Sequence, residues 1–377
     1  MIGIRDYIED GLELEHYQNI KNYVKGVVQF YLNIIAIIDG DLDIDDFDKG
    51  IEFEFDFRHY NGWFNAVSKK NNDFKNLFNA GNLKWNHLKE DFYKINLELE
   101  ELLKSFLDSN HDLFIKKIIT AEPGEQKDII DKFSNYDFAR NGLTRSESID
   151  YINIILNKIF DYNKFVNGSG YFKKWNAYDL AKKLDVNVCP YCNRLYTATI
   201  VSNNMKITRP EFDHYLRKSK YPYLGLSFFN LIPSCKVCNS QLKKEVELPI
   251  DKDHHPYLKI DNRQLIFSFD LNNLDVLSGK SEELEVTFNK KNAGINFDGK
   301  LKEIYNGHSD IVADLIYKRH IYSDELVDEI NELIPDDKIS KKEIIRSLFA
   351  MPINEKEIVN LSLGKLKMDI MKELFDL

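Results

Sequence analysis

Cys189-Pro-Tyr-Cys192, and 42 residues later Cys235-Lys-Val-Cys238, hold every cysteine of the chain, and the rest of the sequence is read outward from them. A C-x-x-C turn brings two thiolates close enough to grip one ion, and two such turns complete a tetrahedron. Four thiolates leave no coordination position open to a substrate, so the zinc that this spacing implies is structural. Cys-Pro-Tyr-Cys is also a redox tetrapeptide of the glutaredoxin kind. That motif belongs after an early strand in a compact βαβ fold. Here about 180 residues of mostly helical pattern precede it and a second knuckle matches it, so the spacing favours zinc over redox chemistry.

The residues between and beside the knuckles carry the rest of the chemistry. Glu211-Phe-Asp-His214 follows a short strand pattern at Met205-Lys-Ile-Thr, and Asn230-Leu-Ile-Pro-Ser leads into the second knuckle, which runs directly into Asn239-Ser-Gln-Leu-Lys-Lys244. Hydrolysis of a phosphodiester needs a base for water, a cation for the developing charge and something to orient the base. His214 suits the base, since imidazole titrates near neutrality. Asp213 and Asn239 offer oxygen ligands for Mg²⁺ or Mn²⁺, Asn230 can fix a backbone or the imidazole, and Lys218, Lys243 and Lys244 can meet phosphate oxygens. Each has a plain structural alternative: Asp-His as a core hydrogen bond, Asn230 as a turn residue, Asn239 as a helix N-cap.

Asp213-His214, Asn230-Leu and Cys235-x-x-Cys238-Asn239 followed by Lys243 together resemble the zinc-bearing form of the HNH endonuclease signature. The wider segment DHYLRKSKYPYLGLSFFNLIPSCKVCNSQLKK is similar to HNH proteins related to the nuclease subunit of Septu-type phage-defence systems, which stand beside an ATPase partner. The resemblance covers roughly residues 175 to 260. It implies a ββα-metal finger in which His214 is the general base, Asp213 and Asn239 hold the catalytic ion and Asn230 braces the loop. Many members carry His at the place of Asn239. The activity implied is endonucleolytic cleavage of DNA, double-stranded rather than RNA. The reading from a different class is a zinc-stabilised nucleic-acid-binding or partner-docking module without catalysis.

Charge is distributed in keeping with an anionic ligand. The chain carries −10 overall, yet residues 205–244 hold eight basic side chains against two acids, a +6 island in a remainder of −16. Four cysteines in a chain read as cytoplasmic do not point to disulfides. The opening MIGIRDYIEDGLELEHYQNI has acids where a signal peptide needs a basic end and an apolar run, and Ile34 to Ile38 is too short to cross a bilayer, so neither secretion nor a membrane is expected.

Along the chain the pattern predicts an α+β protein in three parts. Residues 1–175 are mainly helical and suit docking of a partner, a second copy or a substrate. Helices are predicted near Leu83 to Leu107, with Leu88, Phe92, Ile95, Leu99, Leu102 and Phe106 on one face, and near Ser146 to Phe160. Ile51-Glu-Phe-Glu-Phe-Asp-Phe57 alternates as a half-buried strand does, and the preceding Asp39, Asp41, Asp43 and Asp45 form an acidic loop whose Ile44 and Gly50 rule out an EF-hand. Residues 176–260 form the zinc and HNH core. Residues 261–377 begin with strands at 264–269 and 284–288 and continue as helices. There Leu301, Ile304, Tyr305, His308, Ile311, Val312 and Leu315 share a face, on which His308 reads as a satisfied core histidine. For His254 and His255 three places are open, beside the metal, on the backbone of DNA or as caps of the domain, and the last is favoured.

Overall fold

The computed structural model describes residues 2–43, 97–107, 112–136, 145–203, 205–244, 246–248, 255–258, 266–279, 281, 283–288, 300–334, 339–352 and 354–375. The expected strand at 51–57, the helix ahead of Leu97, Asp45 and His254 lie outside these residues. In chain order the helices are α1 (Leu12–Asp39), α2 (Leu97–Leu107), α3 (Asp112–Thr120), α4 (Gln126–Ser134), α5 (Arg145–Ile159), α6 (Tyr162–Asn167) and α7 (Ala177–Leu184). Then come β1 (Ile200–Ser202), β2 (Met205–Thr208), β3 (Glu211–His214), β4 (Leu231–Ser234) and a π-helical segment, Val237–Lys243. Strands β5 (Phe267–Leu271) and β6 (Leu284–Phe288) precede α8 (Lys300–Asn306), α9 (Ser309–Ile321), α10 (Asp324–Leu333), α11 (Lys341–Phe349) and α12 (Gly364–Phe375). The strands pair as β1–β2, β3–β4 and β5–β6. Helices with small two-stranded sheets make this an α+β chain. Among the described residues no helix is long and apolar enough to cross a membrane.

The chain divides into two compact units, one of residues 1–9, 181–213 and 232–377, the other of 10–180 and 214–231. In this grouping residues 214–231 stand with the helices and not with the cysteine-bearing segment. The boundary runs through the β3–β4 hairpin, because residues 222–230 of the loop between these strands are buried and pack with the helices of their own unit.

In that helical unit, α1 is the spine. It buries Ile20, Val24, Val27, Tyr31 and Ile34 at helical spacing, which gives a continuous apolar stripe. Gly40 ends it at φ 84°, donating to the carbonyls of Ala36 and Ile37, a left-handed stop that a side chain would resist. Leu99, Leu102 and Phe106 of α2 and Ile115, Ile118 and Ile119 of α3 are fully buried, and Phe106 stacks on Phe114 at 5.3 Å. On α5 the expected face is present at Ile152, Ile155, Leu156 and Ile159, while Ile149 is exposed.

In the other unit β5 and β6 pair antiparallel from Phe267↔Phe288 to Leu271↔Leu284. Asp369 of α12 accepts the Ile266 and Phe267 amides at 2.9 and 3.1 Å and pairs with buried Lys365. Asn193, just after the first knuckle, donates to the Ile358 carbonyl at 2.8 Å and accepts the Lys365 amide at 2.8 Å, tying the knuckle to the C-terminal helices. The face predicted from Leu301 onward is buried at Leu301, Tyr305, Val312 and Leu315, half-buried at Ile304 and Ile311, and split between α8 and α9. His308 caps the second helix at this break. It is half-buried and its Nε2 has no hydrogen-bond partner, which corrects the reading of a satisfied core histidine.

Candidate functional site

The four cysteines are all buried, and their sulfurs lie within 4.8 Å of one another. The Cys192 and Cys235 sulfurs are 4.0 Å apart. A tetrahedral zinc with Zn–S bonds of about 2.3 Å has S–S edges of about 3.8 Å, whereas a disulfide needs about 2.05 Å. The four side chains thus have the spacing of ligands around one centre and could hold a metal ion such as zinc. Burial pushes the Cys189 thiol up, while hydrogen bonding from Cys189, Cys235 and Cys238 draws the Cys192 thiol down. A divalent cation removes this conflict by accepting all four as thiolates. The Cys238 amide points at the Cys235 sulfur at 3.4 Å, and the Tyr305 hydroxyl donates to the Cys192 carbonyl, so each knuckle is supported from its own unit.

Beside this centre, Asp213 is enclosed. Its carboxylate accepts the Tyr191 hydroxyl at 2.6 Å, and the Lys243 ammonium lies 3.0 Å from both oxygens. Burial pushes the Asp213 carboxyl up, and Lys243 and then Tyr191 oppose that shift. Lys243 is only 1% exposed, so its assignment as a phosphate contact is corrected: the widened π-helical turn brings it inward onto Asp213. Lys244 is exposed, with a positive φ of 46° at the end of that turn. Asn239 is half-buried and donates from Nδ2 to Glu211 at 2.8 Å, and Ser240 donates to the same carboxylate oxygen at 3.3 Å. Glu211 was not singled out by the motif. The available signal is its position two residues before Asp213 on β3, which puts both carboxylates on one side of the strand.

The helical unit holds a second group. His214 makes a 3.0 Å hydrogen bond through Nε2 with the Gly225 carbonyl, and its ring meets Tyr162 edge-on at 4.4 Å. With Nε2–H donating, the imidazole tautomer has its lone pair on Nδ1. The Lys218 ammonium lies 5.1 Å over the same Tyr162 ring, and burial draws its pKa down against the pull of Asp161. Asn230, fully buried, accepts the Leu216 amide at 2.7 Å and donates to the Leu216 and Leu224 carbonyls at 3.1 and 3.0 Å. It thereby clamps the loop that contains Gly225. Any side chain at 225 would meet the Phe160 and Pro222 carbonyls at 3.0 Å. His16 also holds this loop. Its Nε2 meets the Leu226 carbonyl at 2.9 Å and its Nδ1 accepts the Trp175 indole at 3.0 Å, so both ring nitrogens of a neutral imidazole are used. Burial lowers the His16 pKa to about 4. Nothing in the motif indicated His16, which is 210 residues from its partner in the chain.

The residues singled out from sequence therefore fall in two groups, Asp213, Asn239 and Lys243 with the cysteines in one unit, and His214, Lys218 and Asn230 in the other. Among the described residues, the four cysteines are the group of three or more His, Cys, Asp or Glu side chains gathered closely enough to share an ion. His255, at the margin of the described residues, is buried and accepts the Tyr257 amide at 3.2 Å. Comparison with protein-family models, with curated proteins and with solved structures gave no match.

Proposed function

We propose that the chain is a metal-dependent endonuclease of the HNH type, acting on DNA, with a structural zinc on Cys189, Cys192, Cys235 and Cys238. The observation that carries the reading is the setting of His214. Its ring is oriented by a backbone carbonyl inside a loop braced by Asn230, with Lys218 beside it on Tyr162. A base must be held in one tautomer to take a proton from water, and a nearby ammonium suits a phosphate. The succession β3, β4 and a helical segment around the knuckles is the order that a ββα finger needs.

The oxygen donors suit a Mg²⁺ or Mn²⁺ ion through Asn239 and Glu211, which lie together, while Asp213 is taken up by Lys243. Such an ion would supply charge stabilisation to the leaving oxygen. His214 would take the proton of the attacking water, and Lys218 and Lys244 would hold phosphate oxygens. Anti-phage defence and an ATPase partner follow from the motif resemblance alone.

The enclosure of Asp213 favours a second reading, a zinc-stabilised nucleic-acid-binding or partner-docking module without catalysis. Plasmid nicking with Mg²⁺ or Mn²⁺, with and without EDTA, decides between the two. His214→Ala is expected to lower cleavage by at least about a hundredfold, the scale of a lost general base, with melting temperature and zinc content unchanged. If His214→Ala cleaves like the parent, or the parent binds DNA and never cuts it, the second reading stands.

A further inference from the structure

The β1–β2 hairpin exposes every described residue of both strands. Ile200, Val201, Met205 and Ile207 are 48%, 47%, 63% and 56% exposed. The register slips between Ile200 and Val201, since Ile200 faces Thr208 and Val201 faces Lys206, which leaves Ile207 without an opposite residue. A bulge of this kind twists a ribbon and re-aims a side chain. A two-stranded hairpin is marginal by itself in water, and this one shows apolar side chains on both faces.

Three features indicate what covers it. A strand that docks on a protein uses one face or one edge, whereas here both faces are apolar and open, as suits a ribbon enclosed by the walls of a groove. The charge is one-sided: residues 186–210 contain no acid, although the chain has 61, and they include Arg194, Lys206 and Arg209. The dimensions also match, because a two-stranded ribbon fits the major groove of duplex DNA, where apolar side chains meet thymine methyls, and Ile or Met can wedge between base steps in the minor groove.

We propose that this hairpin is a DNA-binding ribbon, inserted into a groove of the duplex with Met205 and Ile207 as its apolar contacts and Lys206 and Arg209 on the phosphates. The inference rests on the reading that the chain acts on DNA, and adds which element grips the duplex.

The test is fluorescence anisotropy with a 20-base-pair duplex, in EDTA, on a His214→Ala background so that cleavage plays no part. Met205→Ser with Ile207→Ser is expected to weaken binding at least about tenfold, equivalent to about 1.4 kcal/mol. The melting temperature should hold, because both side chains are exposed. Lys206→Gln with Arg209→Gln should reduce the slope of log K against log salt by about 1.8, the value for two lost phosphate contacts. Equal duplex affinity in parent and variants overturns the proposal. So does a Met205→Ser, Ile207→Ser variant whose only change, by light scattering, is loss of a dimer, because the hairpin is then an interface between copies. A parent that binds the duplex through the hairpin but never cuts overturns the nuclease reading and leaves this one intact. A hairpin variant that binds normally, in a protein whose cleavage depends on His214, does the reverse. Absence of any duplex binding by the parent overturns both.

Discussion

Replacing Lys243 by Met separates the two roles that this lysine could have. The ammonium lies 3.0 Å from the Asp213 carboxylate with side-chain exposures of 1% and 5%. At an effective dielectric of about 20, two unit charges at that distance attract by about 5.5 kcal/mol before desolvation is subtracted. Removing one partner of a buried pair usually costs about 3–5 kcal/mol, because the other charge stays behind unpaired. Methionine keeps an unbranched stem, so little of that cost comes from packing. The loss is a large share of the roughly 5–15 kcal/mol that holds a domain together. The sign with pH follows from Asp213, whose pKa burial already raises above its ordinary 3.8. Without Lys243 it rises further. The native state then holds a proton that the unfolded chain has given up, so stability falls as pH climbs from about 3.8 through the raised native value. The defect should be full at neutral pH and shrink toward pH 4. Urea unfolding of parent and Lys243→Met at pH 4 and pH 7, with a double variant Asp213→Leu, Lys243→Met that restores most of the loss, measures this. If Lys243→Met unfolds within about 1 kcal/mol of the parent at pH 7 and instead loses DNA affinity, Lys243 faces phosphate and the enclosed pair is wrong.

Cys235→Ser should reduce zinc from about one per chain and lower the melting temperature, since the binding energy of a structural zinc contributes to folding; a fully folded, zinc-free variant would refute the shared centre. Gly225→Ala should cost about 1–3 kcal/mol through its close approach to the Phe160 and Pro222 carbonyls, and should depress cleavage as well, since a shift of the backbone at 225 moves its own carbonyl, the one that orients His214. His16, with a pKa lowered to about 4, adds stability that is present above pH 6.5 and is lost as pH falls from 6.5 to 4, about 3 kcal/mol in all. That acid limb should vanish in His16→Gln and would be absent from the parent if His16 were solvated.

What the sequence made legible follows the range of the signals in it. The four-cysteine cluster was readable because chelation fixes both spacing and residue type: four thiolates in two C-x-x-C turns admit few other arrangements. The strands near 264–269 and 284–288 and the helical faces at α5 and α8 were readable because burial imposes a period on contiguous residues. His16 was not, since a histidine on α1 acquires its role only when the Leu226 carbonyl and the Trp175 indole arrive from far along the chain. Lys243 was misread for the same reason. In the sequence it belongs to a basic run that looks solvated, and only the π-helical turn, which a local pattern does not encode, carries it onto Asp213. A charge count tells how much electrostatic work a segment can do but not in which direction each side chain leaves the backbone. The two lysines 218 and 243 show the difference, one resting on the aromatic ring that also touches His214, the other neutralising a carboxylate in the core. Lys243 and Asp213 cancel within the +6 of residues 205–244, so the pair leaves the net charge of the island unchanged but reduces from eight to seven the cations that can reach a ligand.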